Sequence, residues 1–187
     1  MNKSILIRGI LLLTYLSISL PVFAQQTLKK DPNNGRTQVA SETTDIITIQ
    51  KEYSRINQTH LKYQTFKFES PDCVDDGEVT YMMTGWGNIE KIVYTGNIGD
   101  GGWTTEFYFS VSGKLEFYFD KLIGGAAAQK MSTTEYRLYV KNDKPIRCME
   151  GEKIVKADDK AKECIRTAYK LFKAYKSRNF SAALCDD

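Results

Sequence analysis

Residues 104–119 read TTEFYFSVSGKLEFYF, and this stretch decides the fold class. Two runs with an aromatic side chain at nearly every position flank Ser112-Gly113, a step that permits a tight reversal between strands. Side chains in a strand switch faces at each residue. Strict alternation therefore puts Phe107 and Phe109 with Leu115, Phe117 and Phe119 on one side, the core. Glu106, Tyr108, Glu116 and Tyr118 fall on the other, a mixture of tyrosine and charge.

The same strand-turn-strand unit recurs to either side. Residues 79–84 and 89–94 flank Gly85-Trp86-Gly87-Asn88, and residues 135–140 and 145–149 flank Asn142-Asp143. Turns about 26 to 30 residues apart make a weak internal repeat. In the last unit Tyr136, Leu138 and Val140 continue the core side, with Arg137, Tyr139 and Lys141 opposite. A further strand over 63–68 brings the expected antiparallel meander to about six or seven strands. Gly-rich connections over 96–102 and 124–128 are expected to be mobile.

Helical spacing appears at both ends of this region. Ile46, Ile49, Tyr53 and Ile56 predict a short amphipathic helix over about 45–57, capped by Thr43 or Thr44. Ala161, Cys164, Ile165, Ala168, Phe172 and Tyr175 form one stripe over about 158–176, with Asp158 and Asp159 at its start and Lys170, Lys173, Lys176 and Arg178 at its end, the order a helix dipole favours. The expected fold is α+β in two layers, with the C-terminal helix and the short N-terminal helix packed on the sheet.

The first 24 residues have the form of a signal peptide: Lys3 and Arg8, an apolar run too short to span a bilayer, then Pro21-Val22-Phe23-Ala24. Cleavage near Ala24 predicts a secreted or periplasmic protein with no stable membrane span. Residues 25–44 are polar and read as a flexible leader, and 45–187 as a single domain. Losing Lys3 and Arg8 takes the net charge of +3 to about +1, which is no electrostatic footprint for nucleic acid.

All four cysteines, Cys73, Cys148, Cys164 and Cys185, follow the signal peptide, and an even count in an exported chain predicts disulfides. A tail folding back along the last helix would pair Cys185 with Cys164 and leave Cys73 for Cys148. The alternative joins Cys73 to Cys164 or Cys185.

Chemistry-bearing motifs are sparse. His60 is the only histidine and sits in polar sequence between helix and strand. That excludes a multi-histidine zinc site. No nucleophile elbow, phosphate loop or dinucleotide fingerprint occurs, so no cofactor is expected. Glu106 and Glu116 share a face on adjacent strands but read as solvated carboxylates, and Asp72, Asp75 and Asp76 as an acidic turn.

Phe107-Tyr108-Phe109, Ser112-Gly113-Lys114-Leu115, Phe117-Tyr118-Phe119, Tyr136-Arg137-Leu138-Tyr139 and Asn142-Asp143-Lys144-Pro145-Ile146 together resemble a group of small exported bacterial proteins of unknown function. In these, aromatic strands turn through a Gly-Lys or Asn-Gly step and return. The resemblance covers roughly residues 44–149 and implies an antiparallel sheet but no activity. The cysteines and the terminal helix lie outside the pattern.

The functional expectation is a non-enzymatic binding or interaction protein whose partner is an unknown protein or small molecule in the envelope or outside the cell. Its candidate binding face is Glu106, Tyr108, Glu116, Tyr118, Arg137 and Tyr139, since tyrosine is favoured at recognition surfaces. The alternatives are an inhibitor of an extracellular hydrolase, with the loop over 97–103 inserting and Trp103 as its anchor, or an unrecognised enzyme.

Overall fold

A computed structural model describes residues 32–98, 101–124 and 132–185. The segment expected to be a signal peptide, most of the Gly124–Ala128 connection and residues 99–100 lie outside the described residues. Eight strands run in sequence order as one antiparallel meander: β1 (Lys62–Ser70), β2 (Val74–Met83), β3 (Ile89–Ile98), β4 (Gly101–Phe109), β5 (Leu115–Gly124), β6 (Ser132–Lys141), β7 (Lys144–Glu150) and β8 (Lys153–Val155). The strand count exceeds the expected six or seven because β8 is a short return that sequence periodicity does not register. Asn142 and Asp143 both take positive φ, 51° and 59°, as a two-residue hairpin turn matched to strand twist requires.

Helices precede and follow the sheet: α1 (Pro32–Gln58), α2 (Asp159–Ser177) and the single turn α3 (Phe180–Leu184). Contrary to the two-layer expectation, α1 lies on one face and α2 with α3 on the other, each over its own apolar cluster. α1 also begins at Pro32 rather than near Asp45, so the latter part of the polar segment read as a leader is helical. A helix anchored by a docked apolar stripe propagates into flanking sequence cheaply, and proline is tolerated in a first turn. Ion pairs from Glu42 to Arg147 (3.3 Å) and from Asp45 to Lys141 (3.0 Å) tie this part of α1 to the sheet.

The main departure from strict alternation is a set of bulges. Glu90 is skipped where Met82 pairs with Lys91 and Met83 with Ile89; Glu116 where Tyr108 pairs with Phe117 and Phe109 with Leu115; Ile146 where Tyr139 pairs with Arg147 and Val140 with Pro145. Each extra residue lies within the first three residues of the returning strand, second in β3 and β5 and third in β7, so the weak sequence repeat is a repeated backbone device. An inserted residue reverses the parity of everything after it. Phe117 and Phe119 therefore join the α1 side, and Tyr118 joins the α2 side, the opposite of the alternation reading. The α2 face carries the cross-strand row Tyr81, Ile92, Phe107, Tyr118, Leu138 and Cys148, and the α1 face the row Lys91, Tyr108, Phe117, Tyr139 and Arg147.

A deletion distinguishes the two readings. Removing Glu116 should close the bulge with every partner and face preserved, at a cost of about 1–2 kcal/mol. Removing Tyr118 should flip the rest of β5 and abolish cooperative unfolding. Urea titrations of both deletion variants check this, and a Glu116 deletion as damaging as the other would contradict the bulge.

α2 buries Ala161, Cys164, Ala168, Leu171 and Ala174, while Phe172 and Tyr175 pack only at its margins, so the helix is rotated slightly from the expected stripe. Asp158 caps it, accepting from the Ala161 amide. Beyond the left-handed residue Arg178, α3 turns Phe180 onto Phe66 and Phe68 of β1. The tail does fold back, but over β1. Cys185 therefore meets Cys73, with 5.9 Å between Cα atoms, while Cys148 and Cys164 are buried free thiols. The expected Cys164–Cys185 and Cys73–Cys148 pairs fail because a cysteine on the buried stripe faces the sheet, away from the returning tail. Burial pushes the Cys164 thiol up to about 11, which keeps it an unreactive core group.

Candidate functional site

α1 crosses the tyrosine face of the sheet, so the residues expected on an open surface lie mostly beneath a helix. Tyr108 is 2 % and Tyr139 7 % exposed, and Tyr118 has left for the opposite core. Glu106, Tyr108, Arg137 and Tyr139 share the α1 face, and the bulge residue Glu116 joins them.

At one end of this contact a polar network forms. Arg55 of α1 reaches the fully buried Glu90 carboxylate through both terminal nitrogens, at 2.9 and 3.3 Å, and Glu52 through Nε at 2.8 Å. The hydrogen bonds to Glu90 and Glu52 raise the Arg55 pKa and hold its charge. Lys91 Nζ donates to Asn57 at 3.0 Å and pairs with Glu106 at 3.1 Å, while the Tyr108 hydroxyl donates to Glu106. Burial and that carboxylate push the Tyr108 phenol far up, so it remains a donor. Burial, followed by the nearby Glu52 charge, raises Glu116. These groups satisfy one another. A buried pair broken on one side leaves a costly charge, so the network positions α1.

Beyond the network α1 and the sheet part into a cleft of about 360 Å³, lined by Ile49, Gln50, Tyr53, Ser54, Phe117, Phe119, Arg137 and Tyr139. Its aromatic rings touch in sequence: Tyr53 lies 5.4 Å from Phe117 edge-on, and Phe117 4.9 Å from Tyr139. The Arg137 guanidinium sits over Phe119 at 5.6 Å, held by the Gly151 carbonyl at 2.8 Å and Glu135 at 2.5 Å. It remains about 30 % exposed. The cleft thus offers an apolar aromatic floor, amide and hydroxyl groups along the helix, and one fixed cation.

Sequence reasoning found Arg137 and Tyr139 but missed Phe117 and Phe119, which alternation assigned to the core, and Tyr53, which it gave to the helix stripe. The signal was present: Glu90 and Glu116 occupy equivalent places in two hairpins.

The remaining singled-out residues lie elsewhere. Trp103 is a half-buried strand residue whose ring packs edge-on against Tyr94 at 5.7 Å and lies over Gly96. A Cβ at Gly96 would come within 2.4 Å of that ring. Trp103 is therefore committed to the sheet. His60 is exposed at the end of α1. Among the described residues no group of three or more His, Cys, Asp or Glu side chains is placed to hold a metal, and no helix is long and apolar enough to cross a membrane.

On the α2 side, Asp120 of β5 accepts from Thr105 Oγ1 at 2.9 Å, and burial raises its pKa against the opposing Thr105 bond and Lys160 charge. A carboxyl whose folded pKa exceeds its unfolded value holds its proton more tightly when folded. Its contribution is therefore most favourable below the unfolded aspartate range and is lost as pH rises through the folded value. Asp120→Asn should raise the melting temperature at pH about 7 and leave it unchanged at pH about 3; thermal melts at both values test this, and equal effects at both would count against it.

The described fold and cleft define an α+β protein with a helix strapped across an aromatic sheet. Comparison with protein-family models, curated proteins and solved structures finds no match to this chain.

Proposed function

We propose that this is an exported, non-enzymatic binding protein and that the cleft between α1 and the aromatic face of β5 and β6 is its ligand site. The observation carrying this reading is the cleft itself, whose volume of about 360 Å³ falls within the range of small-molecule sites and whose lining is apolar with a few convergent polar groups. Its chemistry suits a ligand with a flat apolar body and one anionic group: rings to stack on Phe117 and Tyr139, a charge to meet Arg137. The resemblance to exported aromatic-hairpin proteins and the Cys73–Cys185 bond agree with work outside the reducing cytoplasm.

An aromatic sulfonate dye, anilinonaphthalene sulfonate, matches that description. It should bind one site of the folded protein with roughly micromolar affinity. Gln50→Trp, at the helix edge of the cleft, should fill the space and abolish binding with the unfolding transition unchanged. A folded protein that binds no dye, or a filled variant that binds as well as the parent, would refute the assignment.

A further inference from the structure

The end of the sheet carrying the β2–β3, β4–β5 and β6–β7 turns has a character of its own. Trp86 is 94 %, Tyr63 72 % and Val111 72 % exposed, the three most exposed large apolar side chains among the described residues. Trp86 and Val111 occupy the tips of two neighbouring hairpins whose turns are two strand spacings apart, about 10 Å. The Trp86 turn stands clear of the rest of the molecule: a side chain added at Gly85 or Gly87 would meet nothing within 4 Å. Tyr63, near the start of the edge strand, flanks it.

Behind the tips run two adjoining grooves that share Gly87 and Tyr175. Their charged or titratable lining consists of His60 and Lys62 in one and Lys173 and Lys176 in the other, besides tyrosine, with no acidic side chain in either. None of these three lysines has an ion-pair partner among the described residues. In a chain with 26 basic and 23 acidic residues, such segregation of free lysines around exposed apolar tips is a local feature.

We infer that this end is a peripheral membrane-docking surface, with Trp86 and Val111 entering the interfacial layer and Lys62, Lys173 and Lys176 meeting the phosphates of anionic lipid. Tryptophan settles at the headgroup level of a bilayer, and lysine near an anionic surface contributes about 1 kcal/mol, or roughly fivefold in partition. The occupant is a bilayer rather than a single-stranded nucleic acid or acidic polysaccharide because the apolar groups project from convex turns. A base or sugar ring needs a stacking platform inside a groove, and the aliphatic Val111 offers none. The surface is distinct from the α1 cleft and does not depend on that reading.

Vesicles of phosphatidylcholine with and without phosphatidylglycerol test this on the purified protein. In a Trp103→Phe background Trp86 is the sole tryptophan, since the full sequence has two. Trp103 lies toward the other end of the sheet, and quenching of the parent protein by brominated lipid gives the same reading without that substitution. The expected result is a blue shift of Trp86 emission with phosphatidylglycerol vesicles, and co-sedimentation that weakens with salt. Trp86→Ala or Val111→Asp should lower the partition about tenfold, and Lys173→Glu with Lys176→Glu at least as much, each with an unaltered circular dichroism spectrum. Unchanged Trp86 emission overturns the proposal, as does vesicle binding that these variants leave intact, which would place the contact elsewhere. Retention on heparin or single-stranded DNA without vesicle binding overturns it in favour of a polymer.

Discussion

Loss of the Cys73–Cys185 bond should lower the unfolding free energy by about 5 kcal/mol, the chain-entropy value for a closed loop of this length. The two cysteines are 112 residues apart, so the bond constrains the unfolded chain from β2 through β8 and α2, leaving only α1 and β1 outside the loop. In the folded protein it pins the last turn to the β1–β2 edge, where Phe180 packs 5.8 Å from Phe66 and 5.6 Å from Phe68. Single domains have total stabilities of about 5–15 kcal/mol, so the reduced protein should unfold at markedly lower urea. Cys73→Ser, Cys185→Ser and the double variant should be equally affected, because either substitution removes the same bond. Non-reducing peptide mapping should show the Cys73 peptide linked to that of Cys185, with Cys148 and Cys164 alkylated only after denaturation. A bond involving Cys148 or Cys164 in place of this one would refute the assignment.

Phe107→Ala should cost about 3–5 kcal/mol, the range for a large buried aromatic side chain. Phe107 is fully buried at the middle of the α2-side row, directly opposite Tyr118 across the β4–β5 ladder, with the rings edge-on at 5.3 Å. The cavity left there is walled by sheet and helix and cannot collapse easily. Phe117→Ala removes a ring of the same size from the α1 side, where the buried cluster is much smaller and the neighbouring cleft already admits solvent. Its cost should be nearer 2–3 kcal/mol, since less dispersion contact is forfeited. Equilibrium urea unfolding of both variants measures the difference. Strict alternation through 104–119 would put both phenylalanines in one core and predicts equal losses.

The legible part of this protein is what short-range chemistry determines. Hairpin turns at Ser112-Gly113 and Asn142-Asp143, the strand residues between them and the Asp158-capped helix stripe all follow from local conformational preference and from periodicity. Antiparallel meander and flanking helices were readable on that basis. So were Arg137 and Tyr139 as partners on one face.

Three decisions lay beyond local chemistry. Bulges at Glu90, Glu116 and Ile146 depend on how two strands meet, and one extra residue exchanges the faces of all that follow; Phe117, Phe119 and Tyr118 changed sides for that reason. The placement of α1 opposite α2 depends on both sheet faces being apolar enough to need cover, a property visible only once the bulges have sorted the side chains. Disulfide pairing depends on which surface the final turn reaches. Loop-length limits allowed Cys185 to approach either Cys164 or Cys73, and the packing of Phe180 on the β1 edge chose between them. The sequence by itself determined which segments are strands and helices, because those choices are local; the tertiary structure decided faces, layers and the cleft, because they depend on contacts between residues far apart in the chain.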